Sequence, residues 1–319
     1  MEKIFCKICR NEQTSKDTFV VREMMFGFRD EFNYFQCKNC ACLQIENFPS
    51  NISKYYPSDY YSLGNYDGKR FKGIQGKLYK LRNRASLFRN NLFLRILHFL
   101  SPIEKYEVFQ GLGVTKHTKI LDVGCGNGDF FIYPFKELGF ENVSGCDPYI
   151  AMDIVYPNNL VIHKTDIFGI QGKWDLIIYN HSFEHLPNPI ENLKKVKELL
   201  SPTGICLLRT PIVPSFAWDK YGINWFQLDA PRHFFIHSAK SMNEICELTR
   251  LAIEDIVYDS TLYQFIASEG YQKDIPLVEQ KRKKNFAEKT RRLNFEKLAE
   301  ELNASKEGDQ VAFVLRNLQ

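Results

Sequence analysis

No apolar run in this 319-residue chain approaches the roughly 20 residues that crossing a bilayer requires. The longest, Leu92 to Leu100, is interrupted by Arg95 and His98. The N-terminus, Met1-Glu2-Lys3-Ile4-Phe5-Cys6, has no apolar signal region with a cleavage site, so cytoplasmic residence is expected. Neither sign of charge dominates: a net charge of +4 gives no global nucleic-acid signal. Internal repeats and low-complexity tracts are lacking. The apolar fraction of 44% and charged fraction of 25% are those of an ordinary globular protein. In a reducing compartment the nine cysteines are not a disulfide framework. One absence is local: from Lys69 to Arg95 there are nine Lys/Arg and no Asp or Glu. Such a stretch reads as a solvated basic face, or as a dock for a phosphate-bearing substrate or an anionic membrane surface.

The cysteines divide into two groups. Cys6-Lys7-Ile8-Cys9 and Cys37-Lys38-Asn39-Cys40 form a C-x2-C pair repeated after 27 residues. Two such knuckles supply four thiolates in a tetrahedron, the geometry of a closed structural zinc site. Short strands are expected between them at 19–22 and 32–36, and the unit looks like a zinc ribbon. A full four-sulfur shell leaves no open position, so the metal serves folding rather than chemistry. Cys42 is a spare; Cys125, Cys146, Cys206 and Cys246 read as small buried hydrophobes.

Ile120-Leu121-Asp122-Val123-Gly124-Cys125-Gly126-Asn127-Gly128-Asp129 reads as a strand, a glycine turn and the start of a helix. Its G-x-G-x-G spacing lacks the third small residue of a dinucleotide fingerprint, because Asp129 stands there. The stretch resembles motif I of class I S-adenosylmethionine (SAM) methyltransferases. That resemblance makes Asp122 the strand acid and places Gly124, Cys125, Gly126 and Gly128 against the cofactor. From about residue 105 strands (118–123, 143–147, 160–163, 174–180, 204–209, 253–258 and 308–316) alternate with helices (129–138, 189–200 and 238–250). The expected fold is α/β, a doubly wound, mostly parallel, seven-stranded Rossmann-like sheet. A further helix is expected over 283–303. Residues 77–100 read as one helix, with Leu78, Leu81, Ala85, Phe88, Leu92 and Ile96 at helical spacing. The domains are expected at 1–48 (ribbon), 49–104 (a Tyr-rich connector and basic helix) and 105–319 (SAM domain).

In an open parallel sheet the ligand sits at the carboxyl ends of the strands. Asp147, followed by Pro148, closes a strand 19 residues after Gly128 and can accept two hydrogen bonds from a ribose diol. By resemblance Asp166 receives the adenine amino group beside Ile167; a helix cap is the other reading. Asn180-His181-Ser182-Phe183-Glu184-His185-Leu186-Pro187-Asn188-Pro189 resembles the segment after strand four in SAM methyltransferases of small molecules and glycans. There Asn180 and His181 would line the cofactor's methionine end, with Glu184 and His185 at the base of the pocket. The chain lacks the Asn/Asp-Pro-Pro-aromatic motif of enzymes that methylate exocyclic amino groups of bases.

An alcohol or acidic-carbon acceptor needs its proton removed, and histidine is the default base. His181, His185, His233 and His237 are the candidates, and Arg232 could bind a substrate phosphate. The ribbon, Tyr55-Tyr56-Pro57-Ser58-Asp59-Tyr60-Tyr61, E-H-L-P-N-P and Pro231-Arg232-His233-Phe234-Phe235-Ile236-His237-Ser238 together resemble bacterial sugar and surface-polysaccharide methyltransferases. Among these are the nucleotide-sugar C-methyltransferases, in which a histidine after strand five is the base; His233 fits that position. The resemblance implies a sugar, nucleotide-sugar or lipid-linked glycan acceptor and O- or C-methylation. Two other readings stand beside it: a zinc-ribbon RNA methyltransferase and a non-catalytic zinc-dependent interaction protein.

Overall fold

The computed structural model describes residues 3–14, 18–57, 60, 62–64, 66–280 and 286–318. Ser58, Asp59 and Tyr61 of the tyrosine-rich segment, and residues 283–285 of the expected last helix, lie outside them. The chain opens with strands β1 (Lys3–Phe5), β2 (Glu12–Thr14), β3 (Thr18–Arg22), β4 (Glu31–Gln36) and β5 (Leu43–Ile45), then helices α1 (Gly73–Phe88) and α2 (Leu92–Leu100). An alternating stretch follows: β6 (Ile120–Val123), α3 (Ile132–Glu137), β7 (Val143–Cys146), β8 (Ile154–Val155), β9 (Val161–His163), β10 (Trp174–Asn180), α4 (Pro189–Leu199) and β11 (Leu200–Pro211). It ends with α5 (Phe216–Tyr221), β12 (Phe235–Ile236), α6 (Ala239–Thr249), β13 (Leu251–Tyr258), α7 (Tyr263–Gln272), α8 (Phe286–Ala304) and β14 (Gln310–Asn317). No helix among the described residues is long and apolar enough to cross a membrane.

The large sheet has the order β13-β14-β11-β10-β6-β7-β9-β8. Pairings of β6 with β10, β6 with β7, and β7 with β9 are parallel. The last strand of the chain lies between β13 and β11. The sheet has eight strands where seven were expected. The extra one is β8, two residues that fold back antiparallel on β9. A two-residue strand has too little periodicity to announce itself.

Two compact units divide the chain: residues 1–56, 181–193 and 209–313 form one, and 57–180, 194–208 and 314–319 the other. In the second unit, Ile120 and Leu121 of β6 and Leu176, Ile177 and Ile178 of β10 are buried. Unbroken apolar runs of this kind belong to parallel strands covered on both faces. Phe109, Phe131, Phe135 and Phe140 extend that core, with Phe109 and Phe131 meeting edge to face at 4.9 Å. The first unit holds a four-stranded sheet of order β12-β5-β4-β3. Its edge, β12, comes from far along the chain and pairs antiparallel with β5, Phe235 opposite Gln44.

The single helix expected over 77–100 is two. Arg89 takes a left-handed conformation (φ 41°), and the Asn91 side chain accepts from the Leu94 N–H at 2.9 Å, capping a new helix. The Asn90-Asn91 pair is that start signal. Across the break the apolar spacing does not mark one buried face: Leu78, Leu92 and Ile96 are exposed, and Leu94 is the residue α2 buries.

Candidate functional site

Four sulfurs converge in the first unit. Cys6, Cys9, Cys37 and Cys40 have Sγ atoms within 4.8 Å of one another. Cys6 to Cys40 is 3.6 Å and Cys9 to Cys37 is 3.5 Å. Zinc–sulfur bonds of about 2.3 Å in a tetrahedron set an S–S edge of about 3.8 Å, so the donors fit zinc. Amide groups already point at the sulfurs: Gln44 Nε2 donates to Cys6 Sγ at 3.1 Å and Gln13 Nε2 to Cys37 Sγ at 3.5 Å. These donors orient the ligands and favour thiolates. The Cys40 thiol lowers the pKa of Cys6, while burial raises that of Cys37. Cys42, Cys146, Cys206 and Cys246 are buried single thiols.

The glycine turn, in the second unit, is left-handed at three positions: Gly124 (φ 71°), Gly126 (φ 56°) and Gly128 (φ 76°). A Cβ on Gly126 would stand 2.3 Å from the Ser62 carbonyl oxygen, and Ser62 also accepts the Asn127 N–H at 2.8 Å. Glycine there thus admits the tyrosine-rich connector as well as a ligand. Asp147 accepts the Gly126 N–H and the Tyr149 N–H, each at 2.8 Å. Asp122 is buried and its Oδ1 has no hydrogen-bond partner. Burial, then the neighbouring Asp147, raises its pKa well above the usual carboxylate range. Two acids around a bare backbone turn fit a ligand that brings positive charge and hydroxyl donors. Cys125 is half-buried in the same turn and Pro148 is exposed beside it. Asp166 is exposed after β9 and uses Oδ1 to cap a short 3₁₀ turn by accepting from the Phe168 N–H at 3.0 Å. Ile167 is buried, and Asn180 is half-buried at the end of β10.

The histidines gather in the first unit. One ligand atom each from Glu184, His185 and His233 lie within 4.8 Å of one another. His185 Nδ1 donates to the Arg232 carbonyl at 2.8 Å, with the Tyr56 hydroxyl 3.2 Å away. A carbonyl can only accept, so the proton sits on Nδ1 and leaves Nε2 as an acceptor. Burial and the nearby His233 lower the pKa of His185. His233 donates from Nδ1 to the Gln227 carbonyl at 2.6 Å, and its Nε2 faces Glu184 at 3.9 Å and Asp229 at 3.8 Å. Glu184 is fully buried, accepts from the Thr210 hydroxyl at 3.1 Å, and has His181 Nδ1 at 3.3 Å. Burial opposes its charge, but the imidazoles of His181, His233 and His185 outweigh burial and hold it at about 2. His181 is half-buried in a left-handed conformation (φ 51°) that a non-glycine residue adopts at a cost. His237 is set apart: fully buried, its Nδ1 3.3 Å from the Ser241 hydroxyl, and driven by burial to about 4.

Arg232 is not a phosphate receptor. Its side chain is 0% exposed and held by Asp229 (2.5 Å), Glu23 (2.9 Å) and the Tyr55 carbonyl (3.2 Å). Both carboxylates outweigh burial and raise the guanidinium's pKa. Sequence reasoning missed Glu23 because its role lies 209 residues away from its partner. Tyr34 was missed too; its hydroxyl donates to the His233 carbonyl at 2.8 Å.

A family model described as "Methyltransferase domain" matches residues 81–255. The chain is 26% identical over 185 residues to a tRNA U34 carboxymethyltransferase of Nautilia profundicola, covering 53% of this chain and 60% of that protein. It is 27% identical over 129 residues to the ubiquinone biosynthesis O-methyltransferase of Haemophilus ducreyi, covering 36% and 54%. The chain thus spans somewhat over half the length of these curated relatives. Among solved structures, a SAM-dependent methyltransferase from Mesorhizobium loti aligns with a TM-score of 0.43 at 15% identity, covering 68% of this chain and 100% of that one.

Two outcomes are expected. The purified chain should carry zinc by elemental analysis, and Cys9→Ser should lose it together with several degrees of melting temperature. Arg232→Met should destabilise the chain by about 3–5 kcal/mol in urea, because it strands two carboxylates that the arginine now neutralises; Arg209→Met, at the less buried pair with Asp259, should cost less.

Proposed function

We propose that this chain, which belongs to the methyltransferase-domain family, transfers a methyl group from SAM to a hydroxyl of a sugar, nucleotide-sugar or lipid-linked glycan. The methyl donor on this reading is SAM, the donor that the family match supports. The observation that supports the donor side best is the pair Asp122 and Asp147 at a turn of left-handed glycines. When bound, SAM supplies an electrophilic methyl group on a cationic sulfur. Asp122 offers its unpartnered buried oxygen to that cationic ligand, and Asp147 can receive the ribose hydroxyls. Gly124, Gly126 and Gly128, with Cys125 and Pro148 beside them, keep the backbone accessible; Asp166, Ile167, Asn180 and His181 complete the proposed cofactor set.

For an alcohol acceptor the chain must remove a proton as the methyl group is transferred. We assign that role to His185, because its Nδ1 is held by a carbonyl and its Nε2 is left as the basic lone pair. His233, the position the sequence favours, has both nitrogens facing protein groups and backs the cluster instead, beside Glu184 and His181. The acceptor class rests on the resemblance carried by the E-H-L-P-N-P and P-R-H-F-F-I-H-S segments, and it fits surface-polysaccharide biosynthesis in the cytoplasm. We read residues 1–48 as the zinc ribbon, 49–104 as the connector and 105–319 as the methyltransferase domain. A second reading, an RNA acceptor, is favoured by the tRNA-modifying relatives and the basic stretch 69–95.

Asp147→Ala should weaken SAM about 30- to 100-fold by calorimetry, the loss of paired hydrogen bonds to a charged group; unchanged affinity would overturn the donor assignment. The pH profile follows from a depressed histidine. His185 must be neutral to act, and its pKa lies below 6.5 in the folded chain. The rate should therefore stay flat as pH falls through about 6.5 and decline only below it, and His185→Gln should lose turnover while keeping SAM affinity. Tritiated-methyl transfer to nucleotide-sugar pools, compared with transfer to bulk tRNA, decides the acceptor class.

A further inference from the structure

Helix α2 is amphipathic the wrong way round for a helix packed only on its own protein. At 100° per residue, Leu92, Phe93, Ile96, Phe99 and Leu100 fall within an arc of about 120°. All five are 51–83% exposed. Leu94, on the opposite side, is the residue the helix buries. On α1 a second apolar row, Ile74 and Leu78, is also exposed. The same spacing puts Lys77 and Arg82 on either side of that row. An exposed apolar stripe with a polar rim marks an interaction site.

The chain segment that carries both rows is basic throughout. Between Lys69 and Arg95 there is no acid, and Lys72, Lys77, Arg82, Arg84 and Arg95 form no ion pair among the described residues. A cleft of about 520 Å³ opens at the C-terminal end of the stripe, lined by Arg89, Arg95, His98, Phe99 and Pro102. Glu107 pairs with Arg89 and lies 3.5 Å from His98, whereas Arg95 forms no ion pair among the described residues.

We propose that α2 and the exposed row of α1 seat on an anionic phospholipid surface, with the stripe in the acyl boundary and the Arg95 cleft taking a lipid phosphate. A nine-residue helix is about 13.5 Å long, which suits lying in the interface and not spanning it. The chemistry of the surface selects lipid over the rivals. RNA would satisfy the cations but offers nothing to an aliphatic stripe of Leu92, Ile96 and Leu100. A second copy would satisfy the stripe but would set the unpaired cations of one copy against those of the other.

The test uses the full chain in vesicle sedimentation at about 0.1 M salt. Phosphatidylcholine vesicles with roughly 30% phosphatidylglycerol are compared with phosphatidylcholine alone. The wild type should pellet with the anionic vesicles only. Ile96→Glu with Phe99→Glu should weaken this at least about tenfold. Lys77→Gln with Arg82→Gln and Arg95→Gln should do so by about tenfold or more. These side chains are on the surface, so both variants should keep the melting temperature and SAM affinity. The proposal is overturned if the wild type stays in solution, or if it partitions equally onto neutral vesicles. It is also overturned if the stripe variant instead dissolves a dimer seen by ultracentrifugation, or if the cation variant loses tRNA retention while vesicle binding is untouched.

Discussion

The buried guanidinium of Arg232 is the interaction on which the first unit's chemistry depends. It meets Glu23 just beyond β3, Asp229 three residues before it and the Tyr55 carbonyl. Glu23 is itself committed, accepting the N–H groups of Phe26 (3.0 Å) and Phe28 (2.9 Å). The side chain of Arg232 therefore fixes the ribbon end of the unit, while its carbonyl fixes the His185 tautomer. An ion pair so far from water is weak evidence for net stability. Its value here is positional: moving Arg232 would move the group that sets which nitrogen of His185 carries the proton.

The ribbon belongs to the same construction. Its sheet takes β12 as an edge, so the P-R-H-F-F-I-H-S segment is registered by backbone pairing with β5. The Ser238 hydroxyl donates to the Cys40 carbonyl, the Tyr34 hydroxyl donates to the His233 carbonyl, and the Phe234 N–H donates to the Glu184 carbonyl. Metal at the four cysteines would thus rigidify the strands that carry the histidine loop. A closed site of that kind would act on the histidine loop through geometry alone.

Legibility followed range. The C-x2-C pairs, the glycine turn and the strands β6, β7, β9 and β10 are local patterns, and each could be read from a window of ten residues or fewer. The length of β11, the two-residue β8 and the break between α1 and α2 were not, because they rest on pairing partners and on one capping asparagine. The identity of the site residues was partly legible: Glu184, His185 and His233 do come together. Their roles were not, because a histidine's function depends on what its other nitrogen touches. Arg232 is the sharpest case: a lone arginine in a polar loop reads as a ligand for anions, and only the fold reveals that Glu23 has already claimed it.

The two acids of the glycine turn show why a cofactor's charge belongs in the physical account. Asp122 and Asp147 repel one another's charge, burial adds to that cost, and Asp122 is pushed toward its neutral form. Sequence evolution of a stable but inert fold would replace Asp122 with an apolar residue, because an unpartnered buried carboxylate costs about 1–3 kcal/mol or more. A cationic, hydroxyl-bearing ligand reverses that balance: Asp122 gains an opposite charge, and Asp147 gains donors while keeping the Gly126 amide that shapes the turn. The repulsion between the two acids would favour such a ligand, and the same reasoning disfavours a pyrophosphate there, whose charge would add to the repulsion.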